Sequence, residues 1–138
     1  MEGSHLLASL LKAAEDGEPV SLPIYDFRGL TYVWDVVHSI ERIMLLPPGI
    51  YNLGSENKRS TYETAILFAS VMAGRQPISR LVSPDSRRFA QMPRNLTVNT
   101  EKIKSFGIAL GDTMQGFGRC CRDYGVPYPF SGKSSVIV

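Results

Sequence analysis

A chain of 138 residues, 43% hydrophobic and 20% charged, has the size and make-up of one ordinary globular domain, large enough to bury a core. A formal net charge of only +2 argues against nucleic acid as a partner, which would need a strongly basic surface. No apolar run approaches the roughly 20 residues that cross a bilayer, and no basic stretch followed by an apolar core marks a signal peptide, so neither a membrane partner nor a secretory leader is expected.

In chain order, residues 4–16 have helical periodicity, with Ser4 as cap and Leu7, Leu10, Leu11 and Ala14 on one face. Residues 19–25 alternate around Val20, Leu22 and Ile24 as a short strand does, and Pro23 restricts that strand to an edge or an irregular course. Residues 26–29 are expected as a loop. Thr31 then caps a second helix carrying Val33, Val36, Val37, Ile40, Ile43 and Met44, which Pro47 and Pro48 terminate. Trp34 and His38 lie on one flank of this helix, so that flank is either packed or wet.

The stretch from Gly49 to Gly74 carries the clearest local signals. Ile50, Tyr51 and Leu53 suit a half-buried strand, and residues 54–57 supply turn chemistry. Ser60 and Glu63 have the spacing of a capping box, followed by an apolar face of Ala65, Ile66, Phe68, Ala69, Val71 and Met72. Gly74 and Pro77 stop that helix. Beyond it, residues 78–82 read as a strand, 83–94 as an irregular arginine-rich segment, and Leu96 with Val98 as another brief strand. Thr100 caps a short helix with Ile103 and Phe106, closed by Gly107, and Asp112 starts a last helix with Met114, Phe117, Cys121 and Tyr124 on one side. Cys120 and Cys121 are adjacent, a poor geometry for a mutual disulfide and too few ligands for zinc, so a reducing cytoplasmic setting is expected. Residues 126–138 are expected as an extended or disordered tail following a domain of residues 1–125.

The order of these pieces resembles the C-terminal part of the extended short-chain dehydrogenase/reductase family, and within it the dTDP-4-dehydrorhamnose reductases. Residues 23–36, PIYDFRGLTYVWDV, are similar to the family's D-x-x-x-P-T-x-x-x-D passage, with Leu30 where proline is usual. GIYNLGSENKRSTYE at 49–63 is similar to its strand, glycine turn and serine-capped helix, and PRNLTVNTEKIKSFGI at 93–108 to its R-P-x-N-x-x-L-x-x-x-K pattern. The resemblance implies an α/β fold, a small mixed lobe of about five helices and three to four short strands without the complete Rossmann sheet. It also implies that an intact member holds NADP or NAD on a glycine-rich turn and protonates a keto sugar with a tyrosine that has a lysine four residues later. This chain contains neither motif. No catalytic, cofactor-binding or metal-binding residue is therefore expected, and the chain alone is expected to be inactive.

What remains is substrate holding. Arg28 stands near the place where related epimerases carry an arginine on the nucleotide diphosphate, and a guanidinium suits phosphate oxygens. Arg94, Arg88 and Thr31 complete the candidate substrate-binding set, although Met92 occupies the position of the family's first arginine and Thr31 doubles as a helix cap. Each arginine also has a plain reading as a solvated loop residue. The partners implied are a nucleotide sugar, a Rossmann-containing companion chain or a second copy of this one. A regulatory or protein-interaction module of the same lineage is the alternative.

Overall fold

The computed structural model describes residues 6–72 and 78–128 and shows a small mixed α/β domain. Among the described residues it has five α-helices, a single 3-10 helix and four short strands. Ser4, Gly74, Pro77 and the part of the expected tail from residue 129 onward lie outside the described residues.

Helix α1 (Leu6–Asp16) buries Leu6, Leu10 and Ala13; of the expected face Leu10 is buried, whereas Leu7, Leu11 and Ala14 are exposed. The sequence offers two parallel stripes one residue apart, and periodicity alone does not choose between them. Strand β1 (Val20–Pro23) pairs in parallel with β3 (Val82–Asp85), Val20 opposite Val82. In a two-stranded sheet every strand is an edge, so Pro23 is tolerated there. The segment expected as a loop at 26–29 instead contributes β2 (Asp26–Phe27), parallel to β4 (Arg94–Asn95) with Asp26 opposite Arg94. Backbone bonds from Arg94 N–H to the Tyr25 carbonyl and from Leu96 N–H to the Phe27 carbonyl hold this second pair.

Three other expected strands shift. Residues 50–53 form no strand, since no partner strand among the described residues reaches them, and Ile50 is exposed. Residues Ile78–Leu81 are 3-10 helix, with the strand beginning only at Val82. Leu96 and Val98 lie beyond β4 and are exposed.

Helix α3 (Thr61–Met72) is the centre of the core. Its capping box forms as its sequence predicts: Ser60 N–H donates to the Glu63 carboxylate at 2.7 Å and Glu63 N–H to the Ser60 hydroxyl at 3.2 Å. Ala65, Phe68, Ala69 and Val71 pack with Leu6 and Leu10 of α1, Leu22 of β1, Val82 of β3 and Phe117 of α5 (Thr113–Asp123). The Phe68 and Phe117 rings stack with centroids 3.9 Å apart. Asp112 and Gln115 close a second capping box at the start of α5. Past its end, the chain folds back so that Tyr128 meets Phe117 edge-on and donates its hydroxyl to the Met114 carbonyl.

Helix α4 (Glu101–Lys104) buries Ile103, and the turn that follows it closes at Gly107, whose φ of 78° is the left-handed conformation that glycine adopts without strain. Thr100 occupies the cap position but its hydroxyl makes no cap bond, and Asn99 Oδ1 accepts the Glu101 N–H instead. Helix α2 (Val33–Met44) differs from all of these, because none of its residues is buried. Its N-cap is Tyr32, not Thr31, and the Thr31 hydroxyl accepts the Ser55 N–H at 2.9 Å.

Candidate functional site

The register of β2 and β4 sets Asp26 beside Arg94 although the two are 68 residues apart in sequence. Asp26 is fully buried. Arg94 Nε donates to Oδ1 at 2.6 Å, while Oδ2 accepts Arg28 Nη2 at 2.7 Å, Arg28 Nε at 3.0 Å and the Thr61 hydroxyl at 2.6 Å. One carboxylate thus holds two guanidiniums and the first residue of α3. Burial by itself pushes the Asp26 carboxyl up, but the hydrogen bonds from Arg94, Thr61 and Arg28 together outweigh it and hold the group below the ordinary carboxylate range.

The loop that carries Arg28 is held from beneath. Asn57 donates to the Arg28 carbonyl at 3.0 Å and to the Thr64 hydroxyl at 2.9 Å. At Gly29 the chain crosses so close to residue 55 that a Cβ would stand 1.9 Å from the Ser55 carbonyl oxygen. Glycine is required there for approach. On the other side, Phe89 takes a left-handed conformation, φ 63°, which is rare for an aromatic residue. Its ring lies 4.2 Å from the Arg94 guanidinium, a cation–π contact that orients the side chain.

Two positive charges around one negative leave the cluster at +1. The Arg28 and Arg94 side chains are about a third and two fifths exposed, and beyond their bonds to Asp26 their remaining N–H groups have no protein acceptor among the described residues. This is an arrangement that can accept an anion presenting several oxygens.

The other two candidate residues are placed elsewhere. Arg88 is exposed and pairs with Asp85 at 3.3 Å, in a turn where Asp85 also accepts the N–H groups of Arg87 and Arg88. Thr31 borders a largely apolar cleft of about 320 Å³ with Leu7, Tyr32, Phe68, Phe117 and Cys120. A second hollow of about 240 Å³ has Glu56, Lys104 and Asp112 on its wall, but Lys104 is bound to Glu56 and Asp112 to Gln115. The Thr100 hydroxyl, also on this wall, is buried without a partner among the described residues.

The tyrosines and thiols whose acidity shifts are moved in an unreactive direction. Burial and the bond to Asp123 push the Tyr32 phenol up to about 12, and burial raises Tyr128, Cys120 and Cys121. No group of three or more His, Cys, Asp or Glu side chains able to hold a metal occurs among the described residues. No helix among them is long and apolar enough to cross a membrane. No protein-family model and no curated protein matches the chain.

Sequence reasoning placed Arg28 and Arg94 in the candidate set but missed Asp26 as the hub, with Thr61 and Phe89 as its supports. The Asp-x-Arg spacing at 26–28 was the one available signal. Thr61 acts through a contact 35 residues away, and Phe89, although only five residues from Arg94, reaches it through a left-handed turn that nothing in its sequence marks.

Proposed function

We propose that this chain is the sugar-nucleotide-binding part of a dTDP-4-dehydrorhamnose-reductase-like protein, a C-terminal lobe of the extended short-chain dehydrogenase type working in the cytoplasm, without redox activity of its own. The observation that supports this reading is the meeting of Arg28 and Arg94 on Asp26, with a net positive charge and outward N–H groups. A nucleotide diphosphate offers the oxygens that two such guanidiniums bind bidentately. Thr31 and Arg88 lie outside that pair, so the diphosphate contact is assigned to Arg28 and Arg94.

The test is calorimetric titration of the purified full chain with dTDP-glucose. Saturable binding is expected, weakened at least tenfold by Arg94→Lys, which keeps the charge and loses the planar fork. Equal affinity in the two proteins, or no binding by the wild type, overturns the reading. Addition of NADPH and a keto-sugar nucleotide is expected to give no turnover, and sustained turnover without a second polypeptide overturns it as well.

A second reading, an interaction module of the same lineage, is favoured by a different observation. Helix α2 leaves Val33, Trp34, Val37, Ile40 and Met44 exposed.

A further inference from the structure

Phe89 stands where the backbone calls for a different residue. The bond from Ala90 N–H to the Arg87 carbonyl at 3.2 Å closes a tight turn, and Phe89 is its third residue, with a φ of 63°. A positive φ at that place suits glycine or asparagine, and for an aromatic side chain it is a strained conformation. Among the described residues no other non-glycine residue has a positive φ. The core does not explain the choice, because Phe89 is half-buried and neither belongs to the apolar cluster around α3 nor packs against it. Nor does the turn need it, since Asp85 secures that segment by accepting the N–H groups of Arg87 and Arg88 at 3.0 Å each.

What the ring does touch is Arg94. Arg28 and Arg94 meet the same carboxylate in unequal ways. Arg28 gives Asp26 two N–H groups, at 2.7 and 3.0 Å, and two donors on one carboxylate fix the plane of a guanidinium. Arg94 gives only Nε, at 2.6 Å, and a single bond leaves the plane free to turn. The Phe89 ring, 4.2 Å from that guanidinium, supplies the missing constraint. A cation–π contact at a half-exposed site returns no more than the left-handed conformation costs, so the contact does not explain itself as a source of stability. Strain of this kind is kept where a group must be held ready for a ligand. We infer that Phe89 is a positioning residue of the anion site: its ring sets the plane of Arg94 so that the N–H groups not spent on Asp26 stand ready for phosphate oxygens. The inference rests on the reading in which Arg28 and Arg94 take an anion.

The experiment is calorimetric titration of the full chain with dTDP-glucose and, separately, with inorganic pyrophosphate, beside the melting temperature of each protein. Phe89→Asn removes the ring and suits the left-handed turn, whereas Phe89→Tyr keeps the ring. Phe89→Asn is expected to melt no lower than the wild type, yet to bind about threefold or more weakly whichever probe the wild type binds. Phe89→Tyr is expected to bind within about twofold of the wild type. Affinity unchanged by Phe89→Asn, or lost equally in Phe89→Tyr, overturns the inference. So does a loss of affinity that comes with a fall in melting temperature, because the ring would then be a support of the loop and no more. A wild type that binds neither probe overturns the inference together with the reading beneath it. Binding of pyrophosphate alone, with the same order of variants, defeats only the nucleotide-sugar reading, and dTDP-glucose binding that ignores Phe89→Asn defeats only the inference.

Discussion

Helices α2 and α3 are both 12 residues long, and the sequence marks an apolar face on each. They spend those faces in opposite ways. Six residues of α3 are buried, among strands, helices and the Phe117 ring, whereas α2 buries none and is tied down through Asp35 and Arg42. The difference teaches that an apolar stripe predicts burial without predicting what does the burying. On α3 the covering surface comes from this chain. On α2 the apolar stripe has nothing of the described chain over it, and the polar side does the attaching.

The comparison breaks first at α3. Phe68→Ala removes a fully buried ring stacked on Phe117, and the loss of transfer energy plus the cavity is expected to cost about 3–5 kcal/mol. Urea denaturation followed by far-UV circular dichroism measures it. A cost below about 1 kcal/mol would mean that α3 is no more essential to the monomer than α2.

Asp26→Ala ranks next, because it leaves two guanidiniums facing each other and the Thr61 hydroxyl without its acceptor. Breaking a buried ion pair costs about 3–5 kcal/mol, but water reaches both arginines, so about 2–3 kcal/mol is expected. The same group sets a pH dependence. Its carboxyl is held lower in the folded chain than the unfolded value of about 3.9, so the unfolded chain takes up the proton first as pH falls. Its stabilisation is complete above pH about 4 and drains away as pH drops toward the folded value. Asp85, through the N–H groups of Arg88 and Arg87, and Glu56, through Lys104, act in the same direction. Asp26→Asn is therefore expected to flatten the acid limb of a stability–pH curve without abolishing it.

Much of α3 was legible in advance because its signals are local. The Ser60–Glu63 box lies within four residues, and the buried Ala65, Phe68 and Ala69 repeat at helical intervals. The site was legible only in halves. Arg28 and Arg94 stood out as cations, but their convergence depends on a parallel register between strands of two residues each, too short to show alternation. Thr31 read as a cap because it precedes an apolar run, yet its hydroxyl serves the backbone of Ser55, a partner 24 residues away. Residues 50–53 have strand composition but gain no partner strand among the described residues, and β propensity is worth little without one.

Arg119→Met sharpens the comparison by loosening α2, together with the Leu110 carbonyl that Arg119 also bonds, while leaving α3 untouched. The fork onto Asp35 is two well-formed charge-assisted bonds with Arg119 about one third exposed, so about 1–2 kcal/mol is expected. Hydrogen exchange is expected to accelerate in α2 while α3 stays protected. Acceleration in both to the same degree would show that the helices unfold as one unit. Ser60→Ala tests the reverse case at about 1 kcal/mol, the usual cost of a lost cap, with faster exchange confined to the first turn of α3.

The smallest expected effect is the most informative about α2. Val37→Ser replaces an exposed apolar side chain with a small polar one, and at concentrations where the chain is monomeric its stability is expected to change by no more than about 0.5 kcal/mol. The same exchange at a core position of α3 would remove a buried side chain and strand a hydroxyl without a partner. Val37 escapes both penalties because it already meets water. If urea denaturation of dilute Val37→Ser showed a loss above about 1 kcal/mol, the side chain would be packing within the monomer, and α2 would be a second core helix with no apolar face to offer.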